Sequence, residues 1–481
     1  MANKFDLLVR NAHVIDADGE QGIADIGITG GLIAAVEPSL AGGATTELDV
    51  NGSVVLPGVV DSHAHLPENS DPHGRTPAHH RLARAGVTTA VDFSDFRSVL
   101  NQWHASAAGL TVLGLQSIPV FDDNASSALV RANVEKSIHE GAIGIKLMGG
   151  HRPNSSDISG TAIAEGTDAG CYVAFHAGTK SHGSNLDGMR EALELAEGRP
   201  LHLAHTNAYL RGAVTDIIEE NNIALALLRE HPRAISESHL GSFNWCGGEL
   251  DGDQFVDHVT RNCLRLGGYS TDRDGLIEAF ADGYAFALHE QAEQALPVTG
   301  DAGRALWDDH ENSLCFPVNG RLTGFIQTCA RRTPDGSLRY DGDGEFAVEA
   351  LSSDGGTWRN VILDQGLALV HLGALSLAQL ADKTSRAPAK MFGLWNKGKI
   401  APGYDADLVA VDTTRRVARL TIAAGQVIFD GHTVTGTGGT IVTTEHGVDA
   451  VKSRNIPCQV VDLKRSTFLT KGTDAAAPVN A

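Results

Sequence analysis

Apolar and polar residues change rhythm twice along this chain. Over residues 5–55 short apolar stretches alternate with turn residues. Phe5 to Asp16 is apolar-rich and ends near Asp18-Gly19; Asp25 to Thr29 alternates and stops at Gly30-Gly31; Leu32 to Val36 follows. That texture predicts a small β unit. From Val54 onward near-continuous apolar runs alternate with longer segments of helical character. Strands are predicted at 54–63, 86–93, 110–118, 142–148, 171–178, 200–206, 234–240 and 347–354, with helices such as 127–140, 186–197, 211–231 and 367–394. Fully apolar strands separated by helices imply a parallel sheet covered on its outer face. Eight such units imply an α/β fold of the (β/α)8 TIM-like barrel type, whose chemistry collects at the C-terminal strand ends.

Residues 241–346 break the alternation and read as an insertion between the last two strands. Thr333-Pro334-Asp335-Gly336 inside it is a hairpin-turn signal. After 395 the strand-and-turn texture returns, at Lys399 to Asp412 and Gly425 to Gly431. The expected organisation is therefore a small β-sandwich domain built from both chain ends (1–55 plus 395–450), a barrel over 56–394 carrying the insertion, and a C-terminal extension over 451–481.

Composition narrows the function classes. Asp and Glu outnumber Lys and Arg by 59 to 38 in 481 residues, for a formal charge of −21. This disfavours a nucleic-acid or anionic-membrane binder, whose affinity would rest on basic patches. The six cysteines (171, 246, 263, 315, 329 and 458) are scattered without Cys-x-x-Cys spacing, so neither a disulfide framework nor a thiolate zinc site is expected. Met1 to Asp6 lacks the apolar core of a signal peptide, and no run of about 18 apolar residues exists. A cytoplasmic enzyme acting on a small molecule is the expectation.

The candidate chemistry lies at the strand ends. The run Leu56-Pro57-Gly58-Val59-Val60-Asp61-Ser62-His63-Ala64-His65 closes on two histidines spaced by one residue. On a strand, i and i+2 share a face, so both could serve one metal ion. With 21 histidines in the chain, one such pair is weak evidence by itself. Lys146 closes an apolar strand, where an isolated ammonium is costly. It pairs with a carboxylate, or it is carbamylated by CO2 into an anion able to bridge metals. His176 and His205 end the fifth and sixth strands, with Asp92 and His202 as competitors in similar positions; Asp354 ends the eighth. Six groups at the ends of the first, fourth, fifth, sixth and eighth strands converge on one barrel mouth.

In order and local motif these residues resemble the amidohydrolase superfamily. The resemblance covers most of the chain, from the N-terminal β segment through Pro57 to His65 to the closing Ile400-Ala401-Pro402-Gly403-Tyr404-Asp405-Ala406-Asp407. It implies two divalent metal ions, with zinc the expected identity. His63, His65 and Asp354 would bind the more buried ion, and His176 and His205 the second. A carbamate on Lys146 and a hydroxide would bridge them. Asp354 would also shuttle the proton from the attacking hydroxide to the leaving nitrogen.

The nearest branches are the D-aminoacylases, the dihydroorotases and hydantoinases, and isoaspartyl dipeptidase. Dihydroorotases place an arginine two residues after His-x-His; here that position is Pro67, so dihydroorotate is disfavoured. Candidate substrate-binding residues are His151, Arg152, Tyr209 and Arg211, with Arg359 also near a strand end; Glu237 and His239 are possible pocket groups. The leading expectation is hydrolysis of a carbon–nitrogen amide bond, not peptide backbone, in a small cyclic amide or N-acyl amino acid. The alternatives are an isoaspartyl dipeptidase-like hydrolase, a deaminase and a non-enzymatic scaffold. A homo-oligomer is implied by the same resemblance.

Overall fold

The computed structural model describes residues 4–67, 77–291, 294–309, 314–317, 320–355 and 361–473. Eight parallel strands form the central barrel: β1 Val59–Ala64, β2 Val87–Asp92, β3 Ala108–Ser117, β4 Gly144–Leu147, β5 Tyr172–Phe175, β6 Leu201–Leu203, β7 Ala234–His239 and β8 Ala350–Ser352. Neighbours in sequence pair in space from β1 through to β8. The β4, β5, β6 and β8 strands are buried along their whole length, as expected for a sheet enclosed by helices. Helices such as Ser127–His139 and Leu186–Leu195 lie between strands, started by Ser126 and Asn185 whose side chains accept from Leu129 N and Gly188 N.

The barrel closes between β8 and β1 through side chains as well as backbone. Asp354 N donates to His63 O at 2.9 Å, and Ser353 N to Asp61 Oδ1 at 3.0 Å. Asp61 is fully buried, and its Oδ2 accepts from the Ser353 hydroxyl at 2.6 Å. Burial pushes the Asp61 carboxyl up to about 7, against the Ser353 donors. Ser353→Ala removes one of these donors and leaves a buried oxygen short of a partner. The expected loss is about 1–3 kcal/mol, read as a lower urea midpoint at unchanged slope in the metal-free protein.

The expected strand at 54–63 is two strands. Val54–Pro57 belongs to a second sheet, and β1 starts after Gly58. Gly58 sits where the sheets diverge; a Cβ there would lie 2.3 Å from Thr88 Oγ1, so only glycine lets the chain pass. The second sheet runs Gln426–Phe429, Val417–Ala423, Leu408–Asp412, Val54–Pro57, Phe5–Asp16, Gly19–Thr29, Leu32–Glu37, with Ala44–Asp49 beside Phe5–Asp16. Both chain ends thus build one sheet over a core that includes Val9, Val14, Ile26, Ile28, Val55, Leu408 and Ile422.

Gly438–Thr443 falls within the stretch expected in that β domain, yet it pairs elsewhere. It lies parallel to β3, with Ile441 opposite Val112, and carries Cys458–Val460 as a further parallel strand. The N-terminal half of β3 extends below β4, which pairs only from Leu115 onward. That leaves an open edge, and the apolar Ile441 and Val442 fill it.

Between β7 and β8 the chain forms its own small core. Phe243–Cys246 pairs with Leu314–Pro317, and the helices His258–Gly267, Arg273–Ala281 and Gly300–Asp309 belong to the same excursion. Phe255, Leu264, Leu276, Phe280, Trp307 and Phe316 pack together there. The turn at Thr333 to Gly336 joins two short antiparallel strands, and Gly336 takes the left-handed φ of +83° the turn needs. Among the described residues no helix is long and apolar enough to cross a membrane.

Candidate metal centre

The C-terminal strand ends bring histidines and one carboxylate together. His63, on β1, and His65, just after it, place their Nε2 atoms 3.4 and 3.3 Å from Asp354 Oδ1. These three side chains offer ligand atoms all within 4.8 Å of one another, the one such cluster among the described residues. His205 Nε2 lies 3.8 Å from the same oxygen, and His239 Nε2 lies 3.9 Å from Asp354 Oδ2. The His205 ring stacks on His63 at 5.1 Å between centroids and meets the His176 ring edge-on at 4.5 Å. His176 Nε2 is held by the Ser184 hydroxyl at 2.9 Å, which leaves Nδ1 as its free ring nitrogen. Room for that ring depends on Gly150, where a Cβ would lie 2.0 Å from His176 Nε2.

Two of these residues carry unusual backbone. Asp354 has φ +47° and His205 φ +35°, the left-handed region that non-glycine residues enter only under constraint. Each sits two residues beyond a barrel strand, where the turn aims the side chain back over the mouth.

Lys146, on β4, points into the same basin. Its Nζ is buried, has no hydrogen-bond partner and lies 4.7 Å from the Phe93 ring centroid. Burial pulls the ammonium down to about 8, opposed by the charges of Glu237 and Asp354. Burial likewise holds His63 down to about 4 and His176 and His205 well below the usual imidazole range. Neutral imidazoles are the form that binds a cation. Two oxygens of one carboxylate, neutral imidazoles on several strands and an unpartnered amine together fit a site for divalent cations.

Beneath the ligands lies a buried carboxylate. Glu237 Oε1 accepts from His63 Nδ1 at 2.6 Å and from His205 N at 2.9 Å. Its Oε2 pairs with His202 Nε2, and His202 Nδ1 meets the Tyr172 hydroxyl at 2.8 Å. Burial alone would raise Glu237; His202 and His63 hold it well below the usual carboxylate range. Asp92, the other competitor for a ligand role, accepts from Leu66 N and the Ser94 hydroxyl and ties down the loop after His65.

A cavity of about 780 Å³ opens above the cluster. His65, Asp354 and Met148 meet it from the barrel, Ser94, Asp95, Gln116 and Ser117 from the ends of β2 and β3, and Trp245, Cys246 and Asp257 from the insertion. Of the expected substrate residues, His151 and Arg152 line it. His151 Nδ1 is paired with Asp257 Oδ2 at 2.9 Å, and against burial this carboxylate raises the imidazole. The Arg152 guanidinium is two-thirds exposed and lies 3.4 Å from Glu249 at the rim. Tyr209 and Arg211 are not among the lining residues. The Tyr209 hydroxyl donates to Ala204 O at 2.6 Å and accepts from Ala177 N at 2.9 Å, so it braces the ends of β5 and β6. Arg211 is buried and donates to Asn244 Oδ1 at 3.3 Å. Arg359 lies outside the described residues.

Sequence reading missed Asp61, Ser184, Ser353 and Asp257. Asp61 stands two residues before His63, so the same period-two pattern that paired His63 with His65 points to it. Asp257 carries no local signal, because its partner His151 is distant in sequence.

The structure is therefore a parallel (β/α)8 barrel with a candidate metal-binding cluster at its C-terminal mouth. The family model described as "Amidohydrolase family" matches residues 350–442. An allantoinase of Rubrobacter xylanophilus is 25% identical over 434 residues, covering 85% of each chain. A dihydroorotase of Geobacter metallireducens is 24% identical over 425 residues, covering 85% of this chain and 90% of that one. The solved N-acyl-D-glutamate deacylase of Bordetella bronchiseptica, complexed with zinc and a phosphonate inhibitor, superposes with a TM-score of 0.62 at 13% identity, covering 95% and 99% of the two chains. In its family match and in these relatives the chain is similar to members of the amidohydrolase superfamily.

Proposed function

We propose that this chain hydrolyses a carbon–nitrogen bond, other than a peptide bond, in a small cyclic amide. The observation that carries the reading is the meeting of His63, His65 and Asp354 with the unpartnered Lys146 Nζ on one barrel mouth. The relatives named for allantoin and dihydroorotate, both cyclic amides, support the substrate class. So does the cavity wall, where Trp245 offers a flat face and Ser94, Asp95 and Gln116 offer hydrogen-bonding groups. An N-acyl amino acid is the second reading, favoured by the likeness to the deacylase fold.

His63, His65 and Asp354 would hold one divalent ion, His176 and His205 the other. Lys146 would bridge them after its neutral amine adds to CO2 and releases a proton, giving a carbamate. Zinc is the proposed metal; two such ions would polarise the amide carbonyl and make water nucleophilic near neutral pH. Asp354 accepts the proton of the attacking water and delivers it to the leaving nitrogen, which is otherwise too basic to depart. The two carboxylate oxygens divide this work: Oδ1 faces His63 and His65, and Oδ2 faces His239. His151 and Arg152 stand at the cavity wall to bind the substrate's polar groups, with Asp257 fixing the His151 ring.

The test is a substrate screen on enzyme loaded with zinc in bicarbonate. It would span cyclic ureides, hydantoins, dihydropyrimidines, N-acyl-D-amino acids and isoaspartyl dipeptides. Ring opening in the first three classes is expected. Turnover confined to the acyl amino acids would favour the second reading, and no turnover in any class would overturn both.

A further inference from the structure

We propose that Glu237 is a positioning residue that couples the two halves of the metal centre, so that both cations are held or loosened together. This rests on the ligand allocation proposed above. Glu237 is fully buried on β7 and touches neither the cavity nor the candidate ligand atoms that face it. One of its oxygens, Oε1, serves two ligands assigned to different ions. It accepts from His63 Nδ1 at 2.6 Å and from the backbone N of His205 at 2.9 Å.

The two contacts act differently. An imidazole that donates from Nδ1 must keep its lone pair on Nε2, so Glu237 fixes both the tautomer and the ring orientation of His63. His63 Nε2 is the atom that faces Asp354. At His205 the carboxylate acts on the main chain. The residue sits at φ +35°, a conformation that persists only when its surroundings impose it. The bond from His205 N to Glu237 anchors that turn and so sets where the ring stands. The carboxylate is itself anchored from behind by His202, which Tyr172 orients. By contrast, the Ser184 hydroxyl holds His176 alone.

Glu237→Gln keeps the shape and removes the charge. The experiment loads the full-length parent, Glu237→Gln and Ser184→Ala with two equivalents of zinc and follows release to a chromogenic chelator. Circular dichroism and melting temperature check the fold. Cobalt-loaded samples add the visible absorption spectrum, which reports ligand geometry without reference to turnover. In Glu237→Gln both release phases should accelerate, by about 10–100-fold, and the cobalt spectrum should change. Ser184→Ala should accelerate one phase. His202→Asn, which keeps the carboxylate but removes its rear anchor, is the second variant should Glu237→Gln not fold; it should also move both phases.

Release within twofold of the parent in the folded variants, or acceleration of one phase alone, overturns the coupling. A parent chain that takes up no zinc would overturn the proposed metal site itself, which separates that failure from this one.

Discussion

Lys146→Met is expected to abolish turnover while raising the melting temperature of the metal-free protein. The two effects have one cause. Lys146 Nζ is buried without a hydrogen-bond partner, beside the face of Phe93. In the unmetallated chain that amine is a liability, and a buried polar group without a partner costs about 1–3 kcal/mol. Methionine fills similar volume and needs no acceptor, so the protein should melt about 1–3 °C higher. The same substitution removes the amine proposed to take up CO2. Losing the proposed bridge would sacrifice several kcal/mol of transition-state stabilisation, which is on the order of a thousandfold in kcat/KM. Zinc content should fall below two equivalents per chain. Calorimetry, metal analysis and steady-state kinetics check the three parts. An active variant that keeps two zinc ions would show that Lys146 is an ordinary packed lysine.

Asp354→Asn is expected to separate metal binding from proton transfer. Asparagine tolerates left-handed backbone better than most residues, so φ +47° adds little strain. Its carbonyl oxygen can still face His63 and His65. What it cannot do is accept and release a proton. Turnover should drop by about 10²–10⁴-fold, with zinc content retained and KM little changed. Loss of zinc in parallel with activity would instead make Asp354 a ligand alone. Asp354→Ala is a poorer probe, because alanine is strained at that φ and removes both functions at once.

The legible parts of this protein are those where one short stretch carries both the element and the chemistry. β1, β4, β5 and β6 are apolar runs that stop on a histidine or contain a lysine near their end, so strand and candidate ligand were visible together. What stayed hidden depends on partners distant in sequence. Glu237 and His239 share a strand face by period two, yet nothing local says that Glu237 turns to His63 and His205 while His239 turns to Asp354. Tyr209 and Arg211 were placed by closeness to a strand end. A short helical turn over Thr206–Tyr209 carries the phenol back against β5 instead. Gly438–Thr443 has the alternation of a strand, but a pattern says how a segment folds and not which sheet has a vacancy for it. Here the vacancy is the exposed lower edge of β3.

That added strand bears on how the protein is made. β3 finds one neighbour in β2, close by in sequence, and another some 330 residues later at Gly438–Thr443. Val54–Pro57 likewise waits for Leu408–Asp412. Pairings of this span are slow to form, because a long loop must close before any bond rewards it. During synthesis the barrel and the second sheet therefore each emerge with an apolar edge uncovered until the strands near residues 408 and 440 have left the ribosome. Folding should be completed by these late strands, and the nascent chain passes through an aggregation-exposed interval that a chaperone would shelter.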